Sequence, residues 1–143
     1  MLMFVLEYIH QHNFYKKEKP MNNNEIQFIN LTPHDITVLD KDGNHITIER
    51  SGTIARINSH VEEVKLTHLN KFNVTKINYN GFSNLPELDD LKAENKSIVV
   101  SSFVLDSLPL EWSGVAFAPD TSPESCIRDE KGLILAVKNL RTI

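Results

Sequence analysis

Short apolar runs that alternate every second residue, each closed by a turn sequence, constrain this chain more than any other feature. Ile36-Val38 and Ile46-Ile48 flank Asp40-Lys41-Asp42-Gly43-Asn44, an acidic, glycine-bearing stretch of the kind that reverses a strand. These residues predict a β-hairpin. Ser51-Gly52 marks the next turn, and Thr53-Ile54-Ala55-Arg56-Ile57 reads as a third strand. Val61 to Leu66 and Val74 to Tyr79 supply two more, with Asn80-Gly81 as a turn after them. Periods of two over four to eight residues exclude a helical bundle for this half of the chain.

The second half mixes in helix. Ser83 to Lys96 is polar and acidic and reads as a loop or a short helix, whereas Ser97-Ile98-Val99-Val100-Ser101 has the β-branched composition of a buried strand. Ser102 is placed to cap a short helix through Leu108, which Pro109 ends. Val115-Ala116-Phe117 follows as another buried strand and runs into Ala118-Pro119-Asp120-Thr121-Ser122-Pro123, a loop stiffened by two prolines. A last pair, around Ile127 and from Leu133 to Val137, is joined by Asp129-Glu130-Lys131-Gly132. The expected fold is therefore α+β: a β-rich single domain with a mixed sheet or partly open barrel of about six to eight short strands and one short helix near 102–108.

Length and composition narrow the rest. A chain of 143 residues suits one domain and can bury a core without metals or disulfides. Its single cysteine, Cys126, permits no intramolecular disulfide and fits a reducing compartment, with the cytoplasm of a bacterial cell as the expected location. No apolar run approaches the ~20 residues that span a bilayer, so no membrane partner is expected. The net charge is −4, and the first twenty residues contribute Lys16, Lys17 and Lys19 against Glu7 and Glu18. The acidic remainder has no basic stripe, which argues against duplex nucleic acid as a partner.

The amino terminus reads as a separate extension, 1–20, ahead of a domain at 21–143. Met21 follows Lys16-Lys17-Glu18-Lys19-Pro20, and Lys17-Glu18 can be encoded by a purine run of the sort that positions a bacterial ribosome before a start codon. Translation beginning at Met21 is one reading. An amphipathic helix with Leu2, Leu6 and Ile9 at helical spacing, docking on the domain or on a second subunit, is the other.

Chemistry is expected where polar groups follow buried runs. Thr32-Pro33-His34, Ser101-Ser102 and Asp120-Thr121-Ser122 all do so, and ligands tend to bind beyond the carboxyl ends of strands in sheets with helical connections. Arg56 and Arg128 can add the guanidinium forks that pair with phosphate or carboxylate. The expected binding set is therefore Thr32, His34, Arg56, Ser101, Ser102, Asp120, Thr121, Ser122 and Arg128, taking a small anionic molecule. Each has a plainer role open to it, since Thr-Pro can simply end a strand and Asp120 with Thr121 can bond their own backbone. His34 is the one candidate general base, but no glycines of a nucleophile elbow surround Ser101. The six histidines and the cysteine fall in no metal-ligand spacing, and the five glycines form no phosphate-cradling loop, so neither metal nor cofactor is expected.

Several of these segments, in this order, resemble a family of small proteins common in phages, prophages and bacteria. They are Phe28-Ile29-Asn30-Leu31-Thr32-Pro33-His34, an Asp-Gly-Asn turn, Gly52-Thr53-Ile54-Ala55-Arg56, Leu85-Pro86, Ile98-Val99-Val100-Ser101, Ala118-Pro119-Asp120-Thr121 and Arg128-Asp129-Glu130-Lys131-Gly132. The resemblance covers Glu25 to Val137 and leaves the first twenty residues without a counterpart. Members usually carry glycine in place of Ser122 and a small residue in place of Cys126. Most are uncharacterised, so the likeness implies a fold and a setting: a phage-type protein that evades host defence by trapping a nucleotide signal, itself allowed to be a homo-oligomer. A hydrolase or lyase using His34, and a module that blocks a host protein through its β edge, are the alternatives.

Overall fold

The computed structural model describes residues 27–143, so both readings of the amino-terminal extension lie outside the described residues. Among the described residues ten strands and two short α-helices follow in chain order. The strands are β1 (Gln27–Asn30), β2 (Ile36–Leu39), β3 (His45–Ile48), β4 (Arg56–Val64) and β5 (Val74–Ser83), then β6 (Lys96–Val99), β7 (Ala116–Pro119), β8 (Cys126–Arg128), β9 (Ile134–Val137) and β10 (Leu140–Arg141). Helix α1 (Leu88–Ala93) precedes β6, and α2 (Ser102–Ser107) follows it.

The buried run at 97–100 becomes the centre of the molecule. β6 lies between β1 and β7 and is parallel to both, and β10 closes the far edge antiparallel to β7. A strand covered on both faces must be apolar throughout, which is why this segment reads as a continuous β-branched run instead of an alternating one. Its two faces meet different layers. Ile98 and Val100 pack with Leu91 of α1, with Val104 and Leu105 of α2, and with Ala116 and Ala118 of β7. Val99 points the other way, onto Ile36 of β2 and Ile48 of β3. The small alanines of β7 let the helices lie close, and Trp112 belongs to the same buried cluster.

The second sheet has the order β3-β2-β9-β8, with β2 and β9 parallel. Both of its hairpins turn by one device. Asp40 accepts the amides of Asp42 and Asn44 on Oδ1, at 2.9 and 2.8 Å, while Gly43 takes a φ of +83°. Asp129 likewise accepts the amides of Lys131 and Leu133, at 2.8 and 2.9 Å, ahead of Gly132 at +85°. In each case the carboxylate satisfies turn amides that the ladder leaves over, and glycine alone takes the left-handed position at no steric cost.

The α+β, β-rich expectation holds in outline, with more elements than expected. The described residues form two mixed four-stranded sheets and a separate hairpin, with no closed barrel among them, and α1 adds a helix to the one expected. Other differences have local causes. The segments expected as separate strands at 53–57 and 61–66 form one strand, β4, which begins at Arg56. Asn80-Gly81 is not a turn but lies inside β5, where the pairing skips a residue between Ile57 and Ser59 and Gly81 takes a φ of +113°. The helix at 102–107 is capped by Ser101, not Ser102, through a 3.4 Å contact from the amide of Val104.

Candidate functional site

Because β1, β6 and β7 are parallel neighbours, their carboxyl ends open onto one edge of the sheet. The three polar loops picked out in the sequence leave from those ends: Leu31 to His34 after β1, Val100 to Ser102 after β6, and Asp120 to Ser122 after β7. Topology thus gathers them along one rim.

The β1 loop is built on a buried side chain that sequence reasoning passed over. Asn30 donates from Nδ2 to the carbonyls of His34 and Ile48, at 2.7 and 2.9 Å, and accepts on Oδ1 from the amide and hydroxyl of Thr32, at 2.9 and 2.7 Å. Thr32 is itself buried, so its hydroxyl serves this network and does not face solvent. Pro33 and His34 are exposed beyond it. Arg50 reaches the same loop: it pairs with Asp35 at 3.2 Å and donates from Nη1 to the carbonyl of Pro33 at 3.3 Å. Arg56 is exposed and follows Ala55, whose amide bonds the carbonyl of Leu31 at 3.0 Å. Arg56 therefore begins its strand beside this loop.

In the middle of the rim Ser101 is exposed, with its hydroxyl engaged as the cap of α2, and Ser102 is half-buried. On the far side Asp120 accepts the amide of Ser122 on Oδ1 at 3.0 Å, and its own amide bonds the carbonyl of Asn139 at 3.0 Å. The hydrogen bonds from Ser122, first of all its amide, hold the Asp120 carboxyl below the ordinary aspartate range. Thr121 is exposed at the tip. Below the loop Ser125 is fully buried, and its hydroxyl accepts the amides of Lys138 and Asn139, at 3.2 and 3.1 Å. That anchor ties the rim loop to the chain entering β10.

Arg141 is the cation the sequence did not disclose. It meets Asp106 of α2 through two parallel bonds, Nη1 to Oδ1 at 2.9 Å and Nη2 to Oδ2 at 3.2 Å. This fork lowers the Asp106 carboxyl and raises Arg141, whose charge also reaches Asp120. Two of its five donors are used in the fork, so the remainder can meet another acceptor. Arg128 lies elsewhere. It sits at the end of β8 in the second sheet and donates to the carbonyl of Gly132, at 2.7 Å, within its own turn.

Searches of protein-family models, curated proteins and solved structures returned no match. The rim's chemistry therefore stands on its geometry. It offers three guanidinium groups, Arg50, Arg56 and Arg141, two of which are already set by carboxylates, together with the hydroxyls of Ser102 and Thr121 and the exposed ring of His34. Fixed guanidinium forks beside short hydroxyl side chains suit recognition of phosphate or carboxylate oxygens. Among the described residues no three or more His, Cys, Asp or Glu side chains converge as a metal site, and no helix is long and apolar enough to cross a membrane.

Proposed function

We propose that the protein is a phage-type binding protein that sequesters a small anionic ligand, a nucleotide-derived immune signal, in the cytoplasm of a bacterial host cell. The observation that carries this reading is the convergence of three polar loops at the carboxyl ends of three adjacent parallel strands, flanked by arginines held in place by carboxylates. Ligands in open sheets with helical connections favour that edge. In this reading Arg50, Arg56 and Arg141 meet the anionic groups, Ser102, Asp120 and Thr121 orient the sugar or base, and Asn30, Thr32, Ser101 and Ser122 hold the loops that present them. The resemblance to small phage and prophage proteins supplies the setting.

A sequestering protein gains from tight binding without turnover, and side chains fixed by buried networks suit it because less ordering cost falls on association. The test is native mass spectrometry of the full chain, purified gently from bacteria that are making nucleotide signals, followed by heat release of whatever is retained. An intact nucleotide recovered in stoichiometric amount supports the reading. A converted nucleotide would turn it towards the hydrolase or lyase that uses His34, and an empty protein that also ignores added nucleotides would end it.

A further inference from the structure

The long hairpin β4–β5 changes character along its length. Ile57 and Phe82 are partners near its base, and both pack against the main core. Residues alternate faces along β4, and the bulge in β5 takes up the odd residue between Phe82 and Tyr79, so Ser59 with Tyr79 and Val61 with Ile77 carry the same face outwards beyond that core. There it is uncovered: Val61 is 64% exposed, Ile77 52% and Tyr79 54%. Phe103 of α2, 54% exposed, meets Tyr79 edge to face with ring centroids 5.4 Å apart, and so extends the apolar strip. The opposite face is polar along its middle, where Glu62 accepts from Asn78 at 2.8 Å and pairs with Lys76 at 3.4 Å, and turns apolar only at its outer end, where Val64 faces Val74.

A ribbon of two strands is marginal in water unless an apolar face is covered. We infer that the face carrying Val61, Ile77, Tyr79 and Phe103 is covered by the same face of a second copy of this chain, in a two-fold dimer. Two arguments select this occupant. The first is charge: within the strands the strip carries one ionised side chain, Glu63 at its outer end, so it complements another neutral apolar surface and not a strongly charged partner. A two-fold axis makes one patch serve both sides. The second is area. Each half-exposed aromatic leaves roughly 100 Å² for a partner, and each aliphatic about 80 Å². Two copies then bury about 700 Å² through these four side chains, and the exposed flanks of Ser59, Glu63 and Thr75, at about 80 Å² each, bring the total to roughly 1,200 Å², the lower end of what stable association needs. This proposal is independent of any ligand at the rim.

Sedimentation equilibrium of the full chain tests it, with Ile77→Lys to place a charge in the strip and Ile77→Thr to weaken it while keeping a strand-forming residue. The expected result is a dimer for the natural chain, a dissociation constant raised about tenfold or more in Ile77→Thr, and a monomer in Ile77→Lys with unchanged far-ultraviolet circular dichroism. If Ile77→Lys fails to fold, Ile77→Thr decides alone. A natural chain that stays monomeric at the highest attainable concentration overturns the proposal. So does a dimer whose dissociation constant is the same in Ile77→Thr.

Discussion

The side chains of Asn30 and Thr32 are bound to each other at the end of β1, and the pair holds the first rim loop closed. Asn30 Oδ1 takes both the amide and the hydroxyl of Thr32, while Nδ2 reaches the carbonyls of His34 and Ile48. Asn30 and Thr32 are both buried, so removing either side chain leaves polar groups of the other buried and unsatisfied. Asn30→Ala is expected to cost roughly 3 kcal/mol of unfolding free energy in a denaturant titration. Thr32→Val, which keeps the shape and loses one hydroxyl, should cost about 1 kcal/mol. Asn30→Asp should be at least as damaging as Asn30→Ala, because a carboxylate would face two carbonyl oxygens.

Ser125 has the corresponding part under the third rim loop. Its hydroxyl oxygen is fully buried and accepts two successive amides, those of Lys138 and Asn139. The Lys138 amide also bonds the Ser125 carbonyl at 2.8 Å, so the amide of Asn139 has the more to lose. Ser125→Ala is expected to destabilise the protein by about 1–2 kcal/mol. Hydrogen exchange should accelerate at Asn139 more than at Lys138.

What the sequence disclosed, and what it withheld, follows from the range of the interactions involved. The Asp40 and Asp129 turns, the buried strand at 97–100 and the helix after it were legible because each is set by neighbours a few residues apart. The rim loops were legible too, as polar groups following apolar runs. Which of their side chains are taken up by the fold was not, because that depends on contacts such as Asn30 with Ile48 or Arg141 with Asp106, 18 and 35 residues apart. β10 is two residues long and carries no periodicity to read, so Arg141 went unseen. Read from the sequence, β5 stops at Tyr79 because Asn80-Gly81 is a turn signal by composition, whereas in the structure the pair serves as a bulge inside the strand.

Arg128 and Asp120 can now be separated by mutation. Arg128 belongs to the binding set expected from the sequence, but its guanidinium spans its own hairpin turn to Gly132 on an exposed edge, which makes Arg128→Ala a control. The expected outcome is a loss of under about 1 kcal/mol in stability and no change in affinity for a ligand at the rim. Asp120→Asn keeps the oxygen that receives the Ser122 amide, so its melting temperature should stay nearly unchanged. Isothermal titration with a ligand retained by the natural protein should then show affinity lowered about tenfold where the Asp120 charge is used in binding. A large fall in melting temperature with unaltered affinity would make the loop structural.

Acid titration distinguishes the two carboxylates that flank Arg141. Both are held below 3.8, so each contributes stability that is fully present above that value and is lost as the pH falls through its lower, folded-state value. Their causes differ in order. For Asp106 the hydrogen bond from Arg141 is the largest, whereas for Asp120 the amide of Ser122 comes first and the charge of Arg141 last. Arg141→Gln should therefore return the Asp106 midpoint towards 3.8 while leaving that of Asp120 largely in place. Carbon-detected magnetic resonance of the side-chain carboxyls, followed through the acid range in both proteins, reads the two midpoints directly. Equal upward movement of both would mean that Arg141 organises the whole far side of the rim. No movement at Asp106 would mean that the fork to α2 does not form in solution.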